Sequence, residues 1–163
     1  MKTNRHNHAG MEACCMNQFE VTYRKALAGD AEAMHNLALA YLKGEGTAAD
    51  PAQYFEWIKK AAEAGQAEAM CNLAVAYLEG EGTAADPARY FEWTKRAAEA
   101  GQVEAMYSLA SAYLHGEFTA ADPVQFFEWT KRAAEAGQVE AMHNLAVAYL
   151  EGEVTAADPV QFF

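Results

Sequence analysis

The sequence predicts an all-α fold, a right-handed α/α solenoid of antiparallel helix pairs repeating every 36 residues. Three observations predict it: residues that recur at one fixed interval, apolar steps of three and four inside each interval, and helix punctuation at the same places every time. Met34, Met70, Met106 and Met142 lie 36 apart, as do Gly29, Gly65, Gly101 and Gly137, and Trp57, Trp93 and Trp129 keep the same spacing. Residues 65–100 and 101–136 differ at nine of 36 positions. Chance does not give that, and self-similarity at such a period marks a repeat architecture.

Each unit divides into two helices. The first runs from Ala31 to Leu42 and sets Ala33, Met34, Leu37, Ala38 and Tyr41 on one face, a helical period with no strand alternation competing. Gly44 follows, where a left-handed residue closes a helix. The second opens at Asp50-Pro51, a capping carboxylate followed by proline at the first helical position. It carries Tyr54, Trp57, Ile58 and Ala61 inward and stops at Gly65, with Lys59 and Lys60 in its C-terminal half, where cations suit the helix dipole. The glycines of the loop between the two helices allow a tight reversal. Neither helix can hide its apolar face alone, so successive units must stack.

The predicted organisation is a flexible tail over 1–10 and a single repeat domain over 11–163. That domain comprises a capping helix in 11–28, units at 29–64, 65–100 and 101–136, and an incomplete unit at 137–163. In the capping helix Phe19 falls in the register of Phe55, and Phe19, Tyr23, Ala26 and Leu27 are placed to cover the open end of the stack. At the other end, Phe162 and Phe163 would stand at an uncovered edge. Solenoids usually end in polar caps. The expectation is therefore either a longer array or self-association through these two residues.

The net charge is −11, from 12 Lys and Arg against 23 Asp and Glu. Such a chain repels phosphate backbones and has no basic stripe, which excludes nucleic acid as a partner. A protein or peptide segment, basic or neutral, suits it better. The apolar runs are too short to cross a bilayer, which excludes membrane insertion. No signal-like apolar stretch follows the first residues, so the expected location is cytoplasmic. The cysteines, Cys14, Cys15 and Cys71, are odd in number and do not follow the repeat, which argues against a disulfide framework.

No catalytic, cofactor or metal site is expected. His35 and His143 hold one register three units apart, on the order of 30 Å if helix layers are spaced as usual. The loop GEGTAAD lacks the lysine and hydroxyl of a phosphate-binding loop and follows a helix rather than a strand. A hydrolase built on Cys71 is the remaining enzymatic alternative.

The pattern of Ala33-Met34, Leu37-Ala38, Tyr41, Gly44, Gly46, Asp50, Trp57, Lys60-Ala61-Ala62 and Gly65, with its later copies, resembles the Sel-one-like repeat, a relative of the tetratricopeptide repeat. The resemblance covers residues 29–163. It implies an adaptor that assembles complexes and has no shared active site. The cysteines that give one bacterial subfamily a disulfide per repeat are missing. By resemblance to tetratricopeptide units, one face of the first helices lines a concave groove. The units differ most on that face: His35, Cys71, Tyr107 and His143; then Leu39, Val75, Ser111 and Val147; then Lys43, Glu79, His115 and Glu151. Glu32, Glu68, Glu104 and Glu140 join them. Steps of four keep such residues on one helix face. A scaffold binding a protein or peptide partner in this groove is the leading expectation. The methionine and tryptophan series are expected in the core, and Asn36, Asn72 and Asn144 in hydrogen bonds between helices.

Overall fold

A computed structural model of the chain describes residues 18–151. The described residues form eight helices and no strand: α1 (Gln18–Leu27), α2 (Ala31–Lys43), α3 (Pro51–Glu63), α4 (Ala67–Glu79), α5 (Pro87–Glu99), α6 (Val103–His115), α7 (Pro123–Glu135) and α8 (Val139–Glu151). The expectations placed on residues 1–10, on Cys14 and Cys15, and on Phe162 and Phe163 lie outside the described residues.

The punctuation works through specific hydrogen bonds. Asp50 accepts from the backbone N–H groups of Ala52 and Gln53 at 3.0 and 3.1 Å, and Asp122 does the same for Val124 and Gln125. Asp86 caps α5 through the N–H of Arg89. These bonds satisfy donors that a helix start leaves without intrahelical partners. Gly44, Gly80 and Gly116 end the first helices in the left-handed conformation, with φ between 68° and 75°. Each loop is then tied back: the N–H groups of Asp50, Asp86 and Asp122 donate to the carbonyls of Tyr41, Tyr77 and Tyr113 at 2.7–2.9 Å. One aspartate thus starts the second helix with its side chain and pins the loop to the first helix with its backbone.

Helices pack on their neighbours in chain order, which builds an α/α solenoid of antiparallel pairs. Edge-to-face ring pairs mark the joins: Phe19 with Tyr41, Phe55 with Tyr77, Phe91 with Tyr113 and Phe127 with Tyr149, with centroids 5.3–5.8 Å apart. Each joins a second-type helix to the first helix that follows it. Such pairs contribute about 0.5–1.5 kcal/mol beyond the area they bury. Leu37, Leu73 and Leu109 are fully buried, and Ala38, Ala74 and Ala110 nearly so. The small alanines let the helices approach closely.

Trp57, Trp93 and Trp129 are buried as expected. Their outer faces are covered by Lys60, Arg96 and Arg132, whose charged groups stand 4.2–4.6 Å from the ring centroids. Arg96 and Arg132 are held by Glu92 and Glu128 at 2.7 and 2.6 Å, which gives those outer glutamates a structural role. The methionines depart from expectation. Met34, Met70 and Met106 are half-buried, and Met142 is 47% exposed. Met70 and Met106 each pack on two successive apolar clusters. They bridge core segments rather than fill one.

Two local conflicts remain. Gly82 (φ 69°) has no room for a side chain, because a Cβ there would fall 2.0 Å from the carbonyl oxygen of Pro51. Phe118 occupies the same register with φ 63°, a conformation that side chains rarely adopt, and lays its ring against Tyr90 at 5.0 Å. The other conflict is chemical: the hydroxyls of Thr94 and Thr130 are buried without a hydrogen-bond partner. Ile58 fills this register in the first unit. Thr94→Val and Thr130→Val should each raise the unfolding free energy by about 1 kcal/mol, since an unpaired buried hydroxyl is replaced by a methyl of similar shape; urea denaturation of the two variants checks this. Gly82→Ala should lower it by about 1–3 kcal/mol in the same assay.

Candidate functional site

The structure divides the expected groove residues into two sets. One set faces the next unit. His35 is only 3% exposed, and its Nε2 accepts a hydrogen bond from Asn72 Nδ2 of α4 at 2.9 Å. It therefore sits in the join between first helices and cannot line a groove, which corrects the sequence reading for that residue. Cys71 and Tyr107, in the same register, are half-buried against the apolar clusters of the following helices. His143 is exposed. Unevenness at this register reflects different solutions to one packing problem.

The other set is accessible. Glu32, Glu68, Glu104 and Glu140 are all exposed, one per first helix and in one register. Lys43, Glu79 and His115 are exposed two or three turns further along, while Leu39, Ser111 and Val147 are half-buried. Val75, Leu78 and Leu114 are 41–45% exposed. Glu151 closes α8, and its side chain lies outside the described residues. The accessible face is acidic with an apolar border, and Lys43 and His115 interrupt the run of carboxylates near the C-terminal ends of α2 and α6.

Burial controls the chemistry of the seam. It lowers the His35 pKa from its ordinary 6.5, against the opposing pull of Glu68 and Glu32. A neutral imidazole can accept the Asn72 N–H, whereas an imidazolium cannot. Burial also pushes the Cys71 thiol up to about 11, reinforced by Glu104 and Glu68. A nucleophilic cysteine needs the opposite shift, so Cys71 is a poor candidate for covalent catalysis. Tyr54 is pushed up to about 12, again by burial first and then by Glu81 and Glu79. Its hydroxyl donates to the carbonyl of Asn72 at 3.4 Å. Among the described residues no group of three or more His, Cys, Asp or Glu is placed to hold a metal ion, and no helix is long and apolar enough to cross a membrane.

One feature escaped the sequence reading. A cleft of about 570 Å³ opens between α1 and α2, lined by Gln18, Phe19, Thr22, Asn36, Leu39, Ala40, Lys43, Glu45 and Gly46. Asn36 is exposed there, although Asn72, one unit on, is bonded to His35. The signal was available in the register: among the described residues no first helix precedes that of Asn36.

A family model described as Sel1 repeat matches residues 31–66, 67–102, 103–138 and 139–161. Among solved structures, a Sel1 repeat protein from Oxalobacter formigenes is 32% identical with a TM-score of 0.76, over 80% of this chain and 98% of that one. A protective antigen of uropathogenic Escherichia coli displaying an SLR fold is 38% identical with a TM-score of 0.72, over 80% of this chain. The chain spans only 28% of that antigen. Helicobacter pylori cysteine rich protein B shares the fold at 16% identity, with a TM-score of 0.61 over 79% of this chain and 98% of that one. No curated protein matches the chain.

Two outcomes follow from the seam. Because the folded-state pKa of His35 lies below its unfolded value, unfolding takes up a proton as the pH falls. The stabilisation from a neutral His35 should be complete above pH 6.5 and be lost below it. His35→Gln should remove this component from the pH dependence of the urea midpoint. Cys71, with its thiol at about 11, should react with a maleimide at pH 7 far more slowly than a free cysteine, and speed up on unfolding.

Proposed function

Since the chain belongs to the Sel1 repeat family, we propose that it is a protein-interaction scaffold which holds a basic peptide or protein segment along the exposed face of its first helices. The observation that carries this reading is the carboxylate row Glu32, Glu68, Glu104 and Glu140, one exposed glutamate in the same register of every complete first helix. An extended segment with cations at intervals would meet one carboxylate per unit, and the exposed Val75, Leu78 and Leu114 supply apolar contact beside the charges. The net charge of −11 favours encounter with such a segment and rejects acidic competitors. A scaffold rather than an enzyme also fits the raised thiol of Cys71. A cytoplasmic setting belongs to the same reading.

The test replaces the four glutamates with glutamine, a change that leaves every packed position untouched. Pull-downs with the intact chain and the variant, followed by titration of the recovered partner, should show affinity falling on the order of tenfold in sum, as expected for several exposed charge contacts. Binding should also weaken with added salt. Equal recovery by both proteins, or binding indifferent to salt, would contradict the proposal.

A further inference from the structure

His35 stands behind the carboxylate row rather than in it. Its ring is 3% exposed and lies between two successive first helices, α2 and α4. Glu32 precedes it by about one turn on α2, and Glu68 precedes its partner Asn72 by about one turn on α4. Such spacings make side chains neighbours on a helix surface. Burial disfavours a proton on the ring, whereas Glu68 and then Glu32 favour one. Both carboxylates are themselves exposed, so each faces the enclosed ring on one side and solvent on the other. Taking the basic-segment reading of this face as the ground, we propose that a proton on His35 and a bound cationic segment compete for Glu32 and Glu68, so that acidification loosens the segment from the first two units.

The competition follows from where the charges sit. Water screens an exposed charge strongly and an enclosed one much less. An imidazolium held behind the two carboxylates therefore offsets their field at the place where the segment would meet it. The join does not have to open for this. Asn72 donates from Nδ2 to the neutral ring, and the same amide, turned over, offers Oδ1 to a protonated one. From α3 the polar group at this place is the Tyr54 hydroxyl, which donates to the Asn72 carbonyl. Burial pushes that hydroxyl up to about 12, and it stays neutral. α1 brings Lys25, which lines a hollow with Asp30 and Glu32.

Burial holds the His35 pKa below its ordinary 6.5, so the ring is neutral at pH 7.5 and takes up its proton below pH 6.5. A bound cation offsets the pull of the carboxylates and lowers the proton affinity of the ring further. By reciprocity, the protonated ring lowers the affinity for the segment by the same factor. In the same register one unit on, Cys71 keeps its proton throughout this range, with its thiol at about 11. His143, three units on, is exposed, where water screens it.

The test uses decalysine as the probe. The background carries glutamine in place of His6, His8, His115 and His143, which leaves His35 as the one imidazole. Fluorescence anisotropy should show decalysine binding on the order of fivefold more weakly at pH 5.5 than at pH 7.5, and His35→Gln should remove that difference. NMR of the His35 ring should place its titration at lower pH when decalysine is bound. Glu32→Gln with Glu68→Gln should do the same in the free chain, while Glu104→Gln with Glu140→Gln should leave the titration where it is. Affinity at pH 7.5 that is indifferent to both glutamate pairs would sink the basic-segment reading and the coupling with it. Affinity that depends on the glutamates, with a His35 titration that decalysine does not move or a pH dependence that survives His35→Gln, would overturn the coupling and leave that reading standing.

Discussion

The whole structure depends on one constraint: a helix with an apolar face and short alanine-rich stretches cannot bury that face against its partner alone. Every pair must lie against the next. The ring pair that repeats at each join, from Phe19–Tyr41 to Phe127–Tyr149, is the most regular expression of this constraint. The aspartate that both caps a helix and fastens the preceding loop keeps the pairs in step. Because the fold is assembled from neighbour contacts, residues at the joins and residues on the open face answer to different demands even when they sit a turn apart.

That division organises the functional reading. Positions that vary at the joins, such as His35, Cys71 and Tyr107, vary because each join is solved locally: a hydrogen bond in one place, a thiol in the next, a ring in the third. Positions that stay constant on the open face, such as Glu32 and its three equivalents, have no neighbouring helix to satisfy. Their constancy along the chain is therefore the more telling pattern for a partner, and variation along the stripe is the less telling one.

Most of the fold was legible in the sequence because the repeat supplies several copies of every signal. Asp50-Pro51 and Gly44 placed the helix ends, and the steps from Ala33 to Tyr41 placed the buried face. The candidate site was less legible. Helical spacing puts His35 beside Glu32 and Leu39, but it does not say how far the next unit overlaps that side of the helix. The overlap reaches His35 and stops short of Glu32, and no single-helix pattern contains that information. The methionines were misread for a similar reason, since their register lies where core segments meet. The isolated hydroxyls of Thr94 and Thr130 carried a signal that could have been used, because Ile58 in the same register already marked the site as apolar.

The nearest-neighbour character of the fold is open to one direct measurement: amide hydrogen exchange of the intact chain against Leu73→Ala, which opens a cavity in α4 at a fully buried position. Stacking in chain order predicts the largest loss of protection in α4 and in its neighbours α3 and α5, fading toward α1 and α7. An equal loss in every helix, as a single shared core would give, or a loss confined to α4, would contradict it.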